Sequence, residues 1–155
     1  MKAAYYEENG AAADVMIIGD VETPEPGPGE VRVQIATSGV NPSDVKTRAG
    51  TVRKIGFDRV IPHSDGAGTI DKIGDGVSPA RVGERVWIWN GQWKRPFGTA
   101  AEYITLPEAM AVKLPDSESF AVCLLHTSYA AHQLRRVALV ELRVGEHTRT
   151  RDQCR

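Results

Sequence analysis

Pro24-Glu25-Pro26-Gly27-Pro28-Gly29-Glu30-Val31-Arg32-Val33-Gln34-Ile35 runs from a stiff turn straight into an alternating segment. The prolines fix φ and the glycines supply positive-φ positions, so the first six residues read as a rigid turn. From Glu30 the pattern has a period of two. Val31, Val33 and Ile35 fall on one face, and Glu30, Arg32 and Gln34 on the other, as in a half-buried strand. Working outward, residues 15–21, 67–73, 85–90, 100–106 and 111–114 read as further short strands, punctuated by Gly74-Asp75-Gly76 and Asn90-Gly91. Many short strands with such punctuation predict a mainly β domain, a barrel or a sandwich. The texture changes past Pro115. Residues 117–140 contain no Gly or Pro and carry Phe120, Cys123, Leu124, Ala131, Leu134 and Ala138 at spacings near three and four. This predicts a C-terminal helical segment with Ser117 as its N-cap. Residues 148–155 hold three arginines and no large apolar side chain, and are expected to be a disordered tail.

The composition limits the function classes. A chain of 155 residues suits one ordinary domain, and 41% hydrophobic with 25% charged residues is a globular composition. A net charge of −1 gives no electrostatic footprint for nucleic acid or an anionic membrane. No apolar run approaches the roughly 20 residues that span a bilayer. The N-terminus lacks the apolar stretch of a signal peptide, so a cytoplasmic location is expected. Cys123 and Cys154 cannot make a disulfide scaffold and form no CxxC, while His63, His126, His132 and His147 are scattered.

Beyond the opening stretch come Ser38-Gly39-Val40-Asn41-Pro42-Ser43-Asp44, then Ile61-Pro62-His63-Ser64-Asp65-Gly66-Ala67-Gly68, then Gly83-Glu84-Arg85-Val86-Trp87, then Gly98-Thr99-Ala100-Ala101-Glu102-Tyr103. In that order the series resembles the N-terminal domain of the medium-chain dehydrogenases/reductases, in their quinone oxidoreductase (zeta-crystallin-like) branch. The resemblance implies a GroES-like β-barrel over residues 1–116, packed in whole enzymes beside a Rossmann domain. Residues 117–147 would then be a helical linker towards a Rossmann domain that is absent here. No glycine-rich fingerprint for a dinucleotide pyrophosphate is legible: the chain reads Leu142-Arg143-Val144-Gly145-Glu146-His147 and then ends in the arginine-bearing tail.

Zinc-dependent relatives in this superfamily carry a Cys where this chain has Asn41, and a His-Glu pair where it has Ser64-Asp65. The third ligand position falls near His126. His63 lies one position early, on the opposite side of an extended segment. Asn and Ser are poor zinc ligands, so no zinc is expected. The resemblance then implies hydride transfer from NADPH to a quinone or enone acceptor, with positioning and polar groups replacing the metal. Asn41 is expected to be the catalytic and cofactor-facing residue, since its amide donates at any pH. Asp44 is the second cofactor-binding candidate, or holds the loop. The truncated chain is expected to be inactive alone. It is also expected to self-associate through an exposed apolar face of the helical segment. A rival reading is a non-catalytic GroES-like protein-binding module.

Other features admit plainer readings. Asn41 to Asp44 could be a turn with an Asx or Ser cap. His63 could be a satisfied structural histidine. Its neighbours Ser64 and Asp65 cannot form a linear nucleophile relay, and no G-x-S-x-G is present. Trp87, Trp89 and Trp93 suit an acceptor wall or hairpin packing equally. Lys46, Arg48, Arg53, Lys54 and Arg59 form a mildly basic stretch, either a solvated loop or a contact for cofactor phosphate. Cys123 reads as a small buried hydrophobe.

Overall fold

A computed structural model describes residues 1–52 and 54–121. In chain order these are β1 (Lys2–Tyr5), the single turn α1 (Ala12–Val15), β2 (Ile17–Asp20), β3 (Glu30–Gly39), α2 (Pro42–Arg48), β4 (Asp65–Ile73), β5 (Arg85–Ile88), β6 (Tyr103–Pro107) and β7 (Ala111–Lys113). Short 3-10 turns lie at Pro79–Arg81 and Glu108–Met110. Five strands make one sheet in the order β6-β3-β4-β5-β7, with every neighbouring pair antiparallel. The mainly β reading therefore holds.

The alternation from Glu30 is what builds the core. Val31 sits opposite Leu106, and Val33 opposite both Ile104 and Ile70. These side chains, with Val86 and Ile88 of β5, are essentially without solvent exposure. On the other face of β3, Arg32 grips Asp71 through Nε (3.0 Å) and Nη2 (2.8 Å) and lies over the Tyr103 ring at 5.3 Å. The turn before β3 uses a positive φ of 73° at Gly29, whose N–H donates to the Asp75 carbonyl.

Three elements differ from the sequence expectation. Residues 15–21 were expected to be one strand. Instead the alanine-rich 11–14 stretch closes a helical turn, with the Val15 N–H on the Ala11 carbonyl at 3.1 Å. That turn buries Val15 against Tyr6 and Val60, and the strand starts only at Ile17. The strand expected at 100–106 is split. Ala100 and Glu102 exchange hydrogen bonds with β1 (Ala4 N–H to the Ala100 carbonyl, Glu102 N–H to the Lys2 carbonyl), so β6 proper begins at Tyr103. β1 itself, Lys2-Ala3-Ala4-Tyr5, shows little amphipathic contrast, and its strand form comes from these partners and from β2. Finally, residues 41–44 are not a loop but the N-cap and first turn of α2.

The entry to the C-terminal segment is tied down. The Glu118 N–H donates to the Pro115 carbonyl, so Ser117 lies within a turn, and helical geometry begins at Phe120. Arg85 donates to the carbonyls of Asp116 and Glu118 and lies 4.6 Å from the Phe120 ring centre, while Thr37 Oγ1 donates to the Phe120 carbonyl. Past Ala121, the expected helix with its apolar face, Cys123, His126 and the 148–155 tail all lie outside the described residues.

Candidate functional site

The last residues of β3 lead directly into α2, and Asn41 caps that helix in extended geometry (φ −109°, ψ 154°). Proline at the first helical position needs no N–H partner, which favours a start there. Asp44, three residues on, returns its carboxylate to the Asn41 backbone N–H at 2.7 Å, one arm of a capping box. The Asn41 side chain is fixed from a second direction: Nδ2 donates to Asp65 Oδ2, at the start of β4, at 2.6 Å. A carboxylate only accepts, so this contact sets which way the amide faces. One Nδ2 proton remains for another partner. Asn41 is half-buried, and its neighbour Val40 is 65% exposed.

His63 stands beside this corner, and the segment carrying it is not extended. Its φ is 76°, a left-handed conformation uncommon for a residue with a side chain. The alternation argument that sent His63 to the opposite side therefore does not apply. The His63 carbonyl accepts the Thr99 N–H at 2.9 Å, and Gly98 packs so closely that a Cβ there would lie 2.1 Å from the same oxygen. A side chain at residue 98 would push this turn apart.

The hydroxyls assign the ring's protons. Thr99 Oγ1 donates to the Asp65 carbonyl at 2.7 Å, which uses its only proton. Ser38 Oγ, 2.9 Å from Thr99 Oγ1, must therefore be the donor in that contact. Ser38 then has only lone pairs to offer His63 Nδ1 at 2.8 Å, so the ring donates: Nδ1 carries a proton and Nε2 is the acceptor in the neutral imidazole. The chain of donors ends on a backbone carbonyl. It orients the imidazole and cannot activate Ser38 as a nucleophile.

Three ionisable groups share this corner. Asp65 and Asp44 are nearly inaccessible, and burial pushes both carboxyls above the ordinary carboxylate range. The bonds from Asn41 and the nearby His63 oppose that shift, while the Asp65 charge adds to it for Asp44. Burial also pulls His63 below its ordinary value, against the attraction of the two carboxylates. In all three, loss of water favours the neutral form.

The comparisons with known proteins settle the lineage. Residues 27–116 match the family model "Alcohol dehydrogenase GroES-like domain", well over half of the chain. The chain belongs to this family. The chain is 34% identical to a quinone oxidoreductase of Pseudomonas aeruginosa over 136 residues, 86% of this chain and 40% of the relative. It is 32% identical to the synaptic vesicle membrane protein VAT-1 homolog of Rattus norvegicus over 99 residues, 63% of this chain and 23% of that protein. A mycobacterial structure complexed with NADPH aligns at a TM-score of 0.70 and 28% identity, covering 80% of this chain and 37% of the other. The chain thus spans 40% or less of the length of these relatives. Together they bear out the resemblance to the quinone oxidoreductase branch.

Within this GroES-like domain the remaining expectations fall out unevenly. Asn41 and Asp44 do lie together, with Asp65 as a partner the sequence reading assigned only to a lost zinc position. Ser38 and Thr99 stand 61 residues apart, so nothing local in the sequence links them. Ser64 accepts the Gly91 N–H through its backbone carbonyl. Trp89 donates Nε1 to the Ala109 carbonyl at 3.3 Å, a packing contact, while Trp93 is 57% exposed under Lys94. Of the basic stretch, Arg48 donates to the Gly10 carbonyl, and Arg59 pairs with Glu7 and lies 4.3 Å from the Tyr5 ring centre. Arg53 lies outside the described residues. Among the described residues no helix is long and apolar enough to cross a membrane.

Proposed function

We propose that this chain forms the substrate-side part of a zinc-independent, NADPH-dependent quinone oxidoreductase, with Asn41 at the reacting end. The supporting observation is the Asn41 amide, held on one side by Asp65 and through its backbone by Asp44, with one N–H unspent. An amide so fixed is a preorganised donor for an oxygen that gains charge. Exposed Val40 (65%), next to Asn41 in the chain, and Val52 (69%), in the segment after α2, offer apolar surface suited to a flat acceptor. NADPH, when bound, supplies a hydride to the conjugated carbonyl acceptor. Asn41 would stabilise the acceptor oxygen as negative charge develops on it, and the Asn41–Asp44 turn would hold the nicotinamide end of the cofactor. Asp44 acts mainly by holding that turn, because its carboxylate is already engaged with the Asn41 N–H.

The residues at the superfamily's zinc positions do not fit the metal. Asn41 is a neutral amide bonded to Asp65, and Ser64 contributes a hydroxyl. Among the described residues no three His, Cys, Asp or Glu side chains are grouped to hold an ion. The expected experiment is a fluorescence titration of the 155-residue chain with NADPH, giving no saturation in the micromolar range. One contact at the nicotinamide end is worth about 1 kcal/mol, against an association cost of roughly 4–15 kcal/mol. Supplying the dinucleotide-binding domain of the Pseudomonas relative in cis should restore binding and quinone turnover. In that fusion Asn41→Ala should lower kcat roughly tenfold to a hundredfold with little change in NADPH affinity. Micromolar binding by the chain alone would misplace the cofactor site. A fusion that binds NADPH yet never reduces a quinone would favour a protein-binding module, for which the same exposed valines would be the contact surface.

A further inference from the structure

Thr37 and Ser38 are neighbours on β3, yet their hydroxyls serve opposite sides of the sheet. Thr37 Oγ1 donates to the Phe120 carbonyl at 3.2 Å, and Ser38 Oγ lies 2.8 Å from His63 Nδ1. A bulge sets these two directions. Val33 pairs with Ile70, Gln34 with Thr69 and Ile35 with Gly68, but the next residue to pair is Thr37, with Ala67, so Ala36 is skipped. One skipped residue reverses the alternation of faces. Without it Thr37 would share the core face of Val33 and Ile35, and Ser38 would point away from Thr99. Gly66, opposite Ser38, leaves room for that buried threonine: a Cβ there would lie 2.9 Å from Thr99 Cγ2.

The face that Thr37 reaches is the one opposite the core, and residues 116–120 lie against it. Arg85 of β5 projects from the same face, since Val86 and Ile88 turn to the core. Its guanidinium donates through Nη1 to the Asp116 carbonyl at 3.2 Å and through Nη2 to the Glu118 carbonyl, and lies 4.6 Å from the Phe120 ring centre. A planar fork of donors suits this double grip. β4 separates β5 from β3, so the segment is held from two strands that are not neighbours. Just before it, Leu114 is buried and its N–H donates to the Arg85 carbonyl, which anchors the chain on the barrel side. We propose that residues 116–120 form a strap whose seating on Arg85 and Thr37 sets the position of the Ser38–His63 pair, so that the start of the C-terminal segment and the Asn41 corner are coupled through the end of β3. The contacts run from Phe120 to Thr37, along the chain to Ser38, and from there to His63; the same stretch of chain continues into Asn41. The bulge at Ala36 is where β3 yields, because a skipped residue has no place in the ladder. The strap has two arrangements, seated and released, and such coupling is reciprocal: whatever fixes the corner also tightens the strap. The inference concerns the conformation of this chain and stands whether or not Asn41 is catalytic.

The test uses the full 155-residue chain and two NMR readouts. Exchange of the Glu118 amide, which is bonded to the Pro115 carbonyl, reports the strap. The His63 ring nitrogens and the Asn41 side-chain NH₂ report the corner. Arg85→Met removes the grip from β5, and Phe120→Ala removes the ring beneath it without touching a barrel residue. Both should speed Glu118 exchange about fivefold or more and shift the His63 and Asn41 signals in the same direction. Thr37→Val should produce the same shift at the corner, and adding it to Arg85→Met should move the corner signals by less than the sum of the two. Thr37→Ser keeps the hydroxyl and should match the parent in both readouts. Unchanged Glu118 exchange in Arg85→Met and Phe120→Ala would show that no strap is held there. Faster exchange with unmoved His63 and Asn41 signals would show a strap that is not coupled to the corner. Strictly additive shifts in the double variant would reduce the Thr37 effect to a local one and overturn the proposal as well.

Discussion

At one end of the β3–β4 ladder, Val31, Val33 and Ile70 close on carbon alone; at the other, Ser38 and Asp65 meet a histidine, a threonine and an asparagine. The same two strands thus carry an interior that lost water at a gain and one that lost it at a cost. Burying a large aliphatic side chain favours folding by roughly 1.5–3 kcal/mol. Burying a carboxyl or imidazole opposes ionisation, and His63 adds a left-handed backbone worth of order 1–3 kcal/mol of strain. The apolar end supplies the surplus that lets the polar end exist. A polar corner that costs stability is where function is expected to lie.

The largest expected effect tests the apolar end. Leu106→Ala empties a fully buried position opposite Val31 and should cost about 2–5 kcal/mol in urea unfolding of the chain. A cost below about 1 kcal/mol would mean that this end is loosely packed and the contrast false. Next comes Thr99→Val, nearly isosteric and fully buried. It strips the donor from the Asp65 carbonyl and the acceptor from Ser38, and should cost about 1–3 kcal/mol. It also frees Ser38 to donate to His63 Nδ1, so the ring should gain Nε2–H character in ¹⁵N spectra. A ring that keeps Nδ1–H in the variant would show that the hydroxyl chain does not set the tautomer.

A smaller effect concerns pH. Burial holds His63 below its ordinary value of 6.5, so the neutral ring is the form that suits the fold. The stability it contributes is present above pH 6.5 and lost as pH falls through the lowered folded value. The charged groups around it are Asp44 from α2 and Asp65 from β4, both opposing this shift. The imidazole carbon shifts of the folded chain should therefore titrate below 6.5, and a midpoint above that value would mean that the carboxylates outweigh burial.

The apolar end was legible from the sequence because one residue's neighbour decides its face. Glu30 to Ile35 alternates, and the strand, its face and its core members follow. The corner was legible only as a set of motifs. Asn41 and Asp44 came from a family resemblance, and their contact is local, three residues apart. The contacts from Asp65 to Asn41 and from Thr99 to Ser38 span 24 and 61 residues, and no periodicity encodes them. His63 was misplaced for a related reason. Parity along an extended chain fails wherever one residue turns left-handed, and nothing in Pro62-His63-Ser64 announces that turn. Likewise α2 was hidden because its cap residues are also turn residues, and a seven-residue helix shows too little periodicity to be told from a loop.

The subtlest test changes one atom type at the junction of the two ends. Asp65→Asn keeps an oxygen to accept from Asn41 Nδ2 and removes the buried charge. Because burial raises the Asp65 carboxyl, its neutral form favours the fold: that stability is full below the ordinary value of 3.8 and lost as pH rises through the raised folded value. An amide cannot lose it. The variant should match the parent in acid and exceed it modestly at pH 7, by no more than about 1 kcal/mol, since the charge-assisted bond to Asn41 is given up at the same time. His63 should titrate lower still, having lost one of the two carboxylates that support its protonated form. Urea midpoints at pH 3 and pH 7 measure the first effect, and the His63 titration the second. A variant destabilised at pH 7 by more than about 1 kcal/mol would show that the carboxylate's hold on Asn41 outweighs its desolvation. The corner would then be held together by its charge rather than in spite of it.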